Sequence, residues 1–302
     1  MKKHCILLVL VMIVSATKAQ EVCYFKTSDG ESLSYTRIGS GSVIVLLNGG
    51  PGYGVIPLKP WADTLSKNFE CILFEQRGIG LSGNVKIDST TINLQVAVRD
   101  IDDLRKHLGK EQISLCGISW GAGLSQAYAA FYPKNLNKIV LVSPMGPDMA
   151  FLQPMNDNIN MRRYPNEKDS LKFWNSKATN ESTAIKKFIY SQLPYFYDHD
   201  LGYRECMKID FSKISFSQKE NELMWKDLNK NYDLKTKLKS YSGDCFIIKG
   251  RQDIIPAEAA CQVKEAVPQT KILIIEKCGH YPYVEKPEEF YQILQKVFGD
   301  NK

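Results

Sequence analysis

The stretch ISLCGISWGAGLSQAYAAF, residues 113–131, decides the fold. Its first four residues form an apolar run typical of a buried strand, and residues 122–131 have a helical pattern that ends at Tyr132 and Pro133. The glycine-containing segment GISWG, residues 117–121, joins the two as a tight turn. A strand, a tight turn and a helix in this order indicate one unit of a parallel sheet covered by helices.

The turn has the pattern G-x-S-x-G, which in this setting is typical of a nucleophile elbow. We expect Ser119 to adopt a strained backbone conformation that lifts its hydroxyl clear of the sheet edge. Side chains at Gly117 or Gly121 would collide with the neighbouring strand and helix. The alternative is a chance turn of two glycines and a serine, which the flanking strand and helix disfavour.

A serine hydroxyl needs a base to activate it, and His280 is the best candidate. It follows the last apolar strand run, residues 272–275, and precedes the closing helix, so it comes last in the order serine, acid, histidine. His107 lies among charged residues of a helix, and His199 lies in the middle of the chain. A purely structural role for His280 is the alternative.

The base in turn needs an acid that orients it, and Asp253 fits this role. It follows the strand run at residues 245–249 and lies between Ser119 and His280 in the chain. Asp244 precedes that run and would lie at the wrong end of the sheet. A solvated loop aspartate is the alternative for Asp253, because turns commonly carry this residue.

A glycine-rich loop offers hydrogen-bond donors for a reacting oxygen. NGGPG, residues 48–52, comes directly after the strand run at residues 42–47. We assign an oxyanion hole to the backbone N–H groups of Gly50 and Trp120, the latter being the residue after the predicted nucleophile. The loop lacks the spacing of the phosphate-binding glycine motifs, so we do not expect a nucleotide site.

Strand runs and helical patterns alternate along two parts of the chain. The predicted fold class is α/β: a mostly parallel sheet covered by helices on both faces, with an inserted helical cap. The core is expected at residues 20–146 and 233–302. The polar, aromatic segment at residues 147–232 shows helical patterns without a convincing strand and is expected to form the cap.

Three motifs together resemble the proline iminopeptidase (prolyl aminopeptidase) branch of the α/β-hydrolases. They are NGGPG at residues 48–52, EQRGIGLS at residues 75–82 and GISWG at residues 117–121. That branch typically has HGGPG, DQRGxGxS and GxSWG, so Asn48 and Glu75 depart from the pattern. The resemblance covers most of the core and implies the α/β-hydrolase fold, with Asp253 and His280 at the remaining triad positions.

The resemblance also implies that acids of the cap hold the free amine of a substrate. The candidates in this chain are Asp198, Asp200, Glu205, Glu220 and Glu222. None of them stands in a recognisable cap motif of the family. The aromatic cluster YFYD at residues 195–198 could bind a small cation or an apolar ring, although packing of the cap is the favoured interpretation.

These observations predict a serine hydrolase that needs no metal or organic cofactor and acts on a small molecule or a short peptide. An aminopeptidase that releases N-terminal residues through an acyl-enzyme is the preferred interpretation. The alternatives are an esterase with the same machinery and a non-catalytic ligand-binding protein on a hydrolase scaffold. Dehalogenases and epoxide hydrolases are disfavoured because they need an aspartate where Ser119 stands.

The N-terminus has the pattern of a secretory signal peptide. Lys2 and Lys3 precede a twelve-residue apolar run, and small residues lead up to a cut after Ala19. We expect an exported, periplasmic or secreted protein without a stable membrane insertion, and a retained anchor is the alternative. The formal net charge is +6, and the first nineteen residues contribute three of these charges. The small remaining excess does not indicate nucleic-acid binding, and nothing in the sequence indicates an oligomeric state.

Overall fold

The structure is a computed structural model that describes residues 20–177 and 181–299. The predicted signal peptide, residues 1–19, lies outside the described residues. Eight strands form one sheet in the order β1-β2-β4-β3-β5-β6-β7-β8. The strands are β1 (Glu21–Lys26), β2 (Ser32–Gly39), β3 (Val43–Leu47), β4 (Glu70–Phe74), β5 (Ile113–Ile118), β6 (Leu136–Val142), β7 (Asp244–Gly250) and β8 (Lys271–Ile275).

Eleven α-helices occur in the part of the chain that the structure describes. They are α1 (Lys59–Leu65), α2 (Leu94–His107), α3 (Trp120–Phe131), α4 (Leu152–Arg162), α5 (Pro165–Lys177), α6 (Glu181–Gln192), α7 (His199–Met207), α8 (Gln218–Asn231), α9 (Ala257–Ala266), α10 (Pro282–Glu285) and α11 (Pro287–Gly299). No described helix is long and apolar enough to span a bilayer.

The sheet is antiparallel at one edge and parallel elsewhere. β1 pairs with β2 and β2 with β4 in antiparallel register, while the other five pairings are parallel. Asp29 and Gly30 form the turn between β1 and β2, where Gly30 has a φ of 87°. Glycine adopts this conformation readily, which is why the sequence turns here. The prediction of a mostly parallel α/β-hydrolase sheet is confirmed.

Both faces of the sheet are buried because successive side chains of each strand point to opposite sides. In β3, Val43, Val45 and Leu47 join one apolar cluster. Ile44 and Leu46 join the other. The first cluster includes apolar residues of α2, α3 and α9, and the second includes those of α1 and α11. This explains why the parallel strands are unbroken apolar runs in the sequence.

The segment between β6 and β7 carries the helices α4 to α8. No strand is present in its described residues. A small apolar cluster of its own contains Ile189, Leu193, Phe196 and Cys206. We call residues 147–232 the cap segment. It approaches the carboxyl ends of the parallel strands, where the loops with the predicted site residues also lie.

Candidate active site

Ser119 lies in the turn between β5 and α3. Its backbone has φ 55° and ψ −116°, a conformation that a residue with a side chain rarely adopts. The N–H of Ser119 donates to the carbonyl oxygen of Val142 over 2.9 Å, and this bond holds the backbone of the turn against β6. The expectation of a strained serine at this turn is therefore confirmed.

The glycines on either side of Ser119 allow the turn to pack closely. A Cβ atom added to Gly117 would lie 2.2 Å from the carbonyl oxygen of Gly121, and one added to Gly121 would lie 2.1 Å from that of Leu47. Both distances are far below a van der Waals contact. The sequence pattern thus reflects a steric requirement at both positions.

His280 and Asp253 are joined by a hydrogen bond. The Nδ1 atom of His280 lies 2.8 Å from Oδ1 of Asp253, and both side chains are buried. Burial alone would raise the pKa of Asp253, but its interactions with Lys249 and His280 outweigh this effect and hold that pKa well below its usual range. The carboxylate accepts this bond, so Nδ1 of His280 is the donor, and in a neutral imidazole this tautomer places the lone pair on Nε2.

The backbone of His280 is held at both of its polar atoms. Its N–H donates to the carbonyl oxygen of Tyr195 in the cap segment over 2.7 Å. Its carbonyl oxygen accepts from the hydroxyl of Ser143, which is fully buried at the end of β6, over 2.9 Å. Glu285 accepts from the N–H groups of Gly279 and Tyr197. The loop of His280 is thus bound to both the sheet and the cap segment.

The predicted oxyanion donors lie at the wall of the same cavity as Ser119. Gly50 has a φ of 130°, which suits glycine. A Cβ atom on its neighbour Gly49 would lie 3.3 Å from the Cβ of Ser119, so this loop closely approaches the serine. Trp120 is the first residue of α3, where the N–H has no carbonyl partner within the helix and the helix dipole is positive.

Asn48 and Glu75, the two residues that depart from the family motifs, both make polar contacts in their loops. The side-chain amide of Asn48 donates to the carbonyl oxygen of Gly54. Oε1 of Glu75 lies 3.5 Å from the N–H of Val55. Burial raises the pKa of Glu75. In the same motif as Glu75, Arg77 forms a bidentate pair with Asp100 at 2.7 and 2.8 Å, which fixes this turn to α2.

A cavity of about 680 Å³ opens in front of Ser119 and His280. This volume suits a small molecule or a short peptide. The lining is mostly apolar and aromatic, and both the core and the cap segment contribute to it. Its apolar and aromatic members include Tyr53, Met145, Phe151, Phe188, Tyr195, Phe196, Trp225, Tyr281 and Tyr283, and its charged members are Glu205, Asp210 and Lys213.

Of the five predicted amine-binding acids, only Glu205 lines this cavity among the described residues. Its Oε1 accepts from Lys208 over 2.7 Å. Asp198 caps α7 by accepting from the N–H of Leu201, and Asp200 is exposed in the first turn of that helix. The remaining two candidates, Glu220 and Glu222, lie on α8.

The two acids of α8 do not line the cavity of Ser119. Glu222 is exposed and accepts from Gln218. Glu220 is only 1% exposed and lines a separate, small cavity with Arg77 and Asp100. Burial raises the pKa of Glu220 to about 8, and its Oε2 has no hydrogen-bond partner among the described residues.

The other two described histidines are engaged elsewhere. The Nε2 atom of His107 lies 3.3 Å from the hydroxyl of Tyr35, on the antiparallel side of the sheet. The Nδ1 atom of His199 lies 2.6 Å from Oε1 of Glu167, and this pair is buried within the cap segment. Neither histidine lines the cavity of Ser119. Of the three described histidines, His280 is the one that lines this cavity together with Ser119.

The fold and this constellation define an α/β hydrolase. A family model described as the alpha/beta hydrolase fold matches residues 42–287, so the chain belongs to that family and is a hydrolase. Within it, the chain resembles the proline iminopeptidases, as the three motifs predicted.

Curated relatives of that name cover most of the chain at low identity. The proline iminopeptidase of Heyndrickxia coagulans is 26% identical over 271 residues, which are 85% of this chain and 90% of the relative. The proline iminopeptidase of Clostridium botulinum is 25% identical over 292 residues, covering 90% of this chain and 96% of the relative.

Solved structures share the fold. An alpha/beta fold family hydrolase from Bacillus anthracis has a TM-score of 0.70 at 17% identity, covering 92% of this chain and 99% of its own. A thermophilic esterase from Thermogutta terrifontis has a TM-score of 0.65 at 19% identity, covering 92% of this chain and 98% of its own.

Proposed function

We propose that the protein is a serine hydrolase that releases N-terminal residues from short peptides. The observation that carries this proposal is that His280, which is hydrogen-bonded to Asp253, lines the same cavity as Ser119. The names of the relatives support the peptidase assignment.

The proposed reaction begins with attack by the Ser119 hydroxyl oxygen on the substrate carbonyl carbon. Nε2 of His280 takes the hydroxyl proton, and Asp253 stabilises the imidazolium that results. The N–H groups of Gly50 and Trp120 donate to the oxyanion of the tetrahedral intermediate. The C–N bond then breaks, and the imidazolium gives its proton to the leaving amine. A water molecule hydrolyses the acyl-enzyme in the same way, and neither step uses a metal or an organic cofactor.

Glu205 is the proposed partner of the substrate's free amine. It is the one cavity-lining candidate among the five acids, and its pairing with Lys208 at the rim leaves carboxylate lone pairs for a second donor. A charged hydrogen bond of this kind contributes about 1.5–3 kcal/mol. The substrate is therefore expected to need an unblocked N-terminus.

An esterase is the second candidate, and the cavity lining favours it. Most lining residues are apolar or aromatic, and Glu205 is already bound by a lysine. Such a cavity would also accept a small neutral ester. The acyl-transfer steps at Ser119 would be the same for both substrates.

A substrate panel separates the two candidates. Prolyl, alanyl and leucyl arylamides would be compared with their N-acetylated forms and with short-chain aryl esters. We expect turnover of the free-amine arylamides and little turnover of the acetylated ones. Turnover of esters without any turnover of arylamides would contradict the peptidase proposal.

A matched pair of variants tests the role of Glu205. Glu205→Gln is expected to raise KM for a free-amine arylamide about tenfold or more, since one charge-assisted contact is lost. Glu265→Gln removes an exposed carboxylate from α9 and should leave KM unchanged. Equal KM values for both variants would show that another group binds the amine.

We also propose that the protein is exported after cleavage near Ala19. The charged start and the short apolar run of residues 5–16 support this proposal. N-terminal sequencing of the protein recovered from the extracellular or periplasmic fraction would test it. A retained Met1 in membrane-bound protein would favour the uncleaved anchor.

A further inference from the structure

A buried lysine ammonium lies against the carboxylate that holds His280. Lys249, near the end of β7, is 3% exposed. Its Nζ atom lies 2.8 Å from Oδ2 of Asp253 and also donates to the carbonyl oxygen of Ile255. A buried ammonium is costly unless it is paired, and here the carboxylate supplies the pairing charge.

The contacts of Asp253 divide between its two oxygens. Oδ1 accepts from Nδ1 of His280 over 2.8 Å and from the N–H of Ile255 over 3.0 Å. Oδ2 accepts from Lys249. Among the described residues, Lys249 and His280 are the two side chains that bond to this carboxylate. They therefore share one negative charge from opposite oxygens.

We propose that Lys249 is a positioning residue that fixes the Asp253 carboxylate and, through its charge, keeps His280 in its basic, unprotonated form down to a lower pH. This inference rests on the function proposed above, in which unprotonated His280 activates Ser119.

The sign of the effect follows from the charges. When His280 takes up a proton, two cations share the carboxylate of Asp253, and the fixed charge of Lys249 opposes the second one. Without that charge, the imidazolium forms more easily, at higher pH. A neighbouring charge typically moves such a titration by about one to three pH units.

Other ionisable groups, from several elements of the fold, lie around Asp253 and His280. Arg162 on α4 interacts electrostatically with Asp253 and with Glu285, and burial lowers its pKa. The rings of Tyr195 and Tyr281 lie 5.5 and 5.2 Å from that of His280, and burial raises the pKa of both hydroxyls. Burial also raises the pKa of the Cys278 thiol.

Of these groups, Glu285 can titrate on the acid side, because burial raises its pKa. An activity profile alone could therefore report Glu285 instead of His280. A measurement that observes the imidazole of His280 directly separates the two groups.

The experiment uses the full chain with Lys249→Met, Lys249→Gln and Lys249→Arg. The first readout is the rate at which a fluorophosphonate probe labels Ser119 between pH 4.5 and 9. The second is the NMR titration of the His280 imidazole, assigned by difference with His4→Gln, His107→Gln and His199→Gln. The glutamine variant keeps a hydrogen-bond donor without the charge, and the arginine variant keeps both.

We expect the pH midpoint of Ser119 labelling and that of the His280 titration both to rise by about one pH unit in the methionine and glutamine variants. In the arginine variant, both midpoints should equal those of the wild type. A lysine with only a structural role would change stability or maximal rate but not the midpoints. Unchanged midpoints in Lys249→Gln, the variant that best preserves the packing, would overturn the inference. A shift in the arginine variant as large as that in the neutral variants would overturn it as well.

The two proposals fail in different ways. If wild-type protein is not labelled at Ser119 at any pH, the proposed function fails. If it is labelled and the midpoints do not respond to the charge at position 249, only the role of Lys249 fails. The NMR titration requires no activity, so it tests the charge effect in either case.

Discussion

The indole Nε1–H of Trp120 donates to the side-chain Oε1 of Gln76 over 3.0 Å, and both side chains are buried. This bond joins the turn after β4 to the first residue of α3. Two of the three motifs recognised in the sequence are therefore in direct contact. Since Trp120 follows Ser119, the bond also fixes the start of the helix that supports the serine.

The first prediction concerns this bond. Gln76→Leu removes the acceptor and leaves a buried N–H without a partner, which costs about 1–3 kcal/mol. Urea unfolding should show this loss relative to wild type. Gln218→Leu, on the exposed face of α8, is the control and should stay within about 0.5 kcal/mol. Equal stability of the two variants would mean that Trp120 finds another acceptor.

The second prediction uses the backbone conformation of Ser119. Both Ser119→Ala and Ser119→Gly should abolish probe labelling and turnover while the protein still folds. The glycine variant should be more stable than the alanine variant by roughly 1 kcal/mol. Glycine relieves about 1–3 kcal/mol of backbone strain in the folded protein. The greater conformational entropy that glycine gives to the unfolded chain offsets only about 0.4–1 kcal/mol of this gain. Denaturant unfolding measures the difference, and a less stable glycine variant would contradict it.

The third prediction concerns the pH dependence of stability. Burial raises the pKa of Glu220 to about 8 in the folded protein, whereas an unfolded chain has a value of about 4.3. Between these values the folded state binds more protons, so stability falls as the pH rises, by at most about 1.4 kcal/mol per pH unit. Glu220→Gln should remove this dependence and be more stable than wild type at pH 8 by on the order of 2 kcal/mol.

Unfolding curves at several pH values between 4.5 and 8 test this prediction. The exposed Glu265→Gln variant should keep the slope of the wild type. Parallel curves for wild type and Glu220→Gln would show that the carboxylate of Glu220 stays ionised in the folded protein, for example through the guanidinium of Arg77 across the small cavity that they share.

The fourth prediction concerns the close packing at the elbow. Gly117→Ala places a Cβ atom 2.2 Å from the backbone oxygen of Gly121, so the turn must shift. We expect a loss of at least about 2 kcal/mol and reduced labelling of Ser119. Gly299→Ala, where no atom of the described residues comes within 4 Å of the added carbon, should be neutral. A stable, fully labelled Gly117→Ala protein would refute the steric argument.

The core of the fold could be predicted from the sequence because each strand has its own local signal. The apolar runs of β3, β5, β6 and β7 lie between turn residues, and Asp29 and Gly30 mark the hairpin. The order of Ser119, Asp253 and His280 then follows from their positions directly after strands, since these strand ends meet at one edge of a parallel sheet.

The cap segment could not be predicted in the same detail. Which face of a cap helix points toward the cavity depends on contacts with the core that no local pattern encodes. Glu205 and Glu220 look alike as acids of polar helices, yet one lines the large cavity and the other is buried against the turn of Arg77. The choice among the five acids therefore needed the three-dimensional structure.

Sequence reasoning also missed the residues that support the triad. Lys249 gave a signal, because a lysine that ends an apolar strand run and is followed by an aspartate four residues later can pair with it. Ser143 and Glu285 gave none. Their partners are the backbone of His280 and of Gly279, more than a hundred residues away in the first case.

The hydrogen bond from the His280 N–H to the Tyr195 carbonyl oxygen joins the loop of the histidine to the part of the cap segment that lines the cavity. Tyr195 forms part of the chamber wall, while His280 carries the reacting nitrogen. A conformation that moves this stretch of wall would break the bond and leave His280 held by Ser143 and Asp253. Outward movement of Tyr195 would therefore remove one of the restraints that orient the reacting nitrogen.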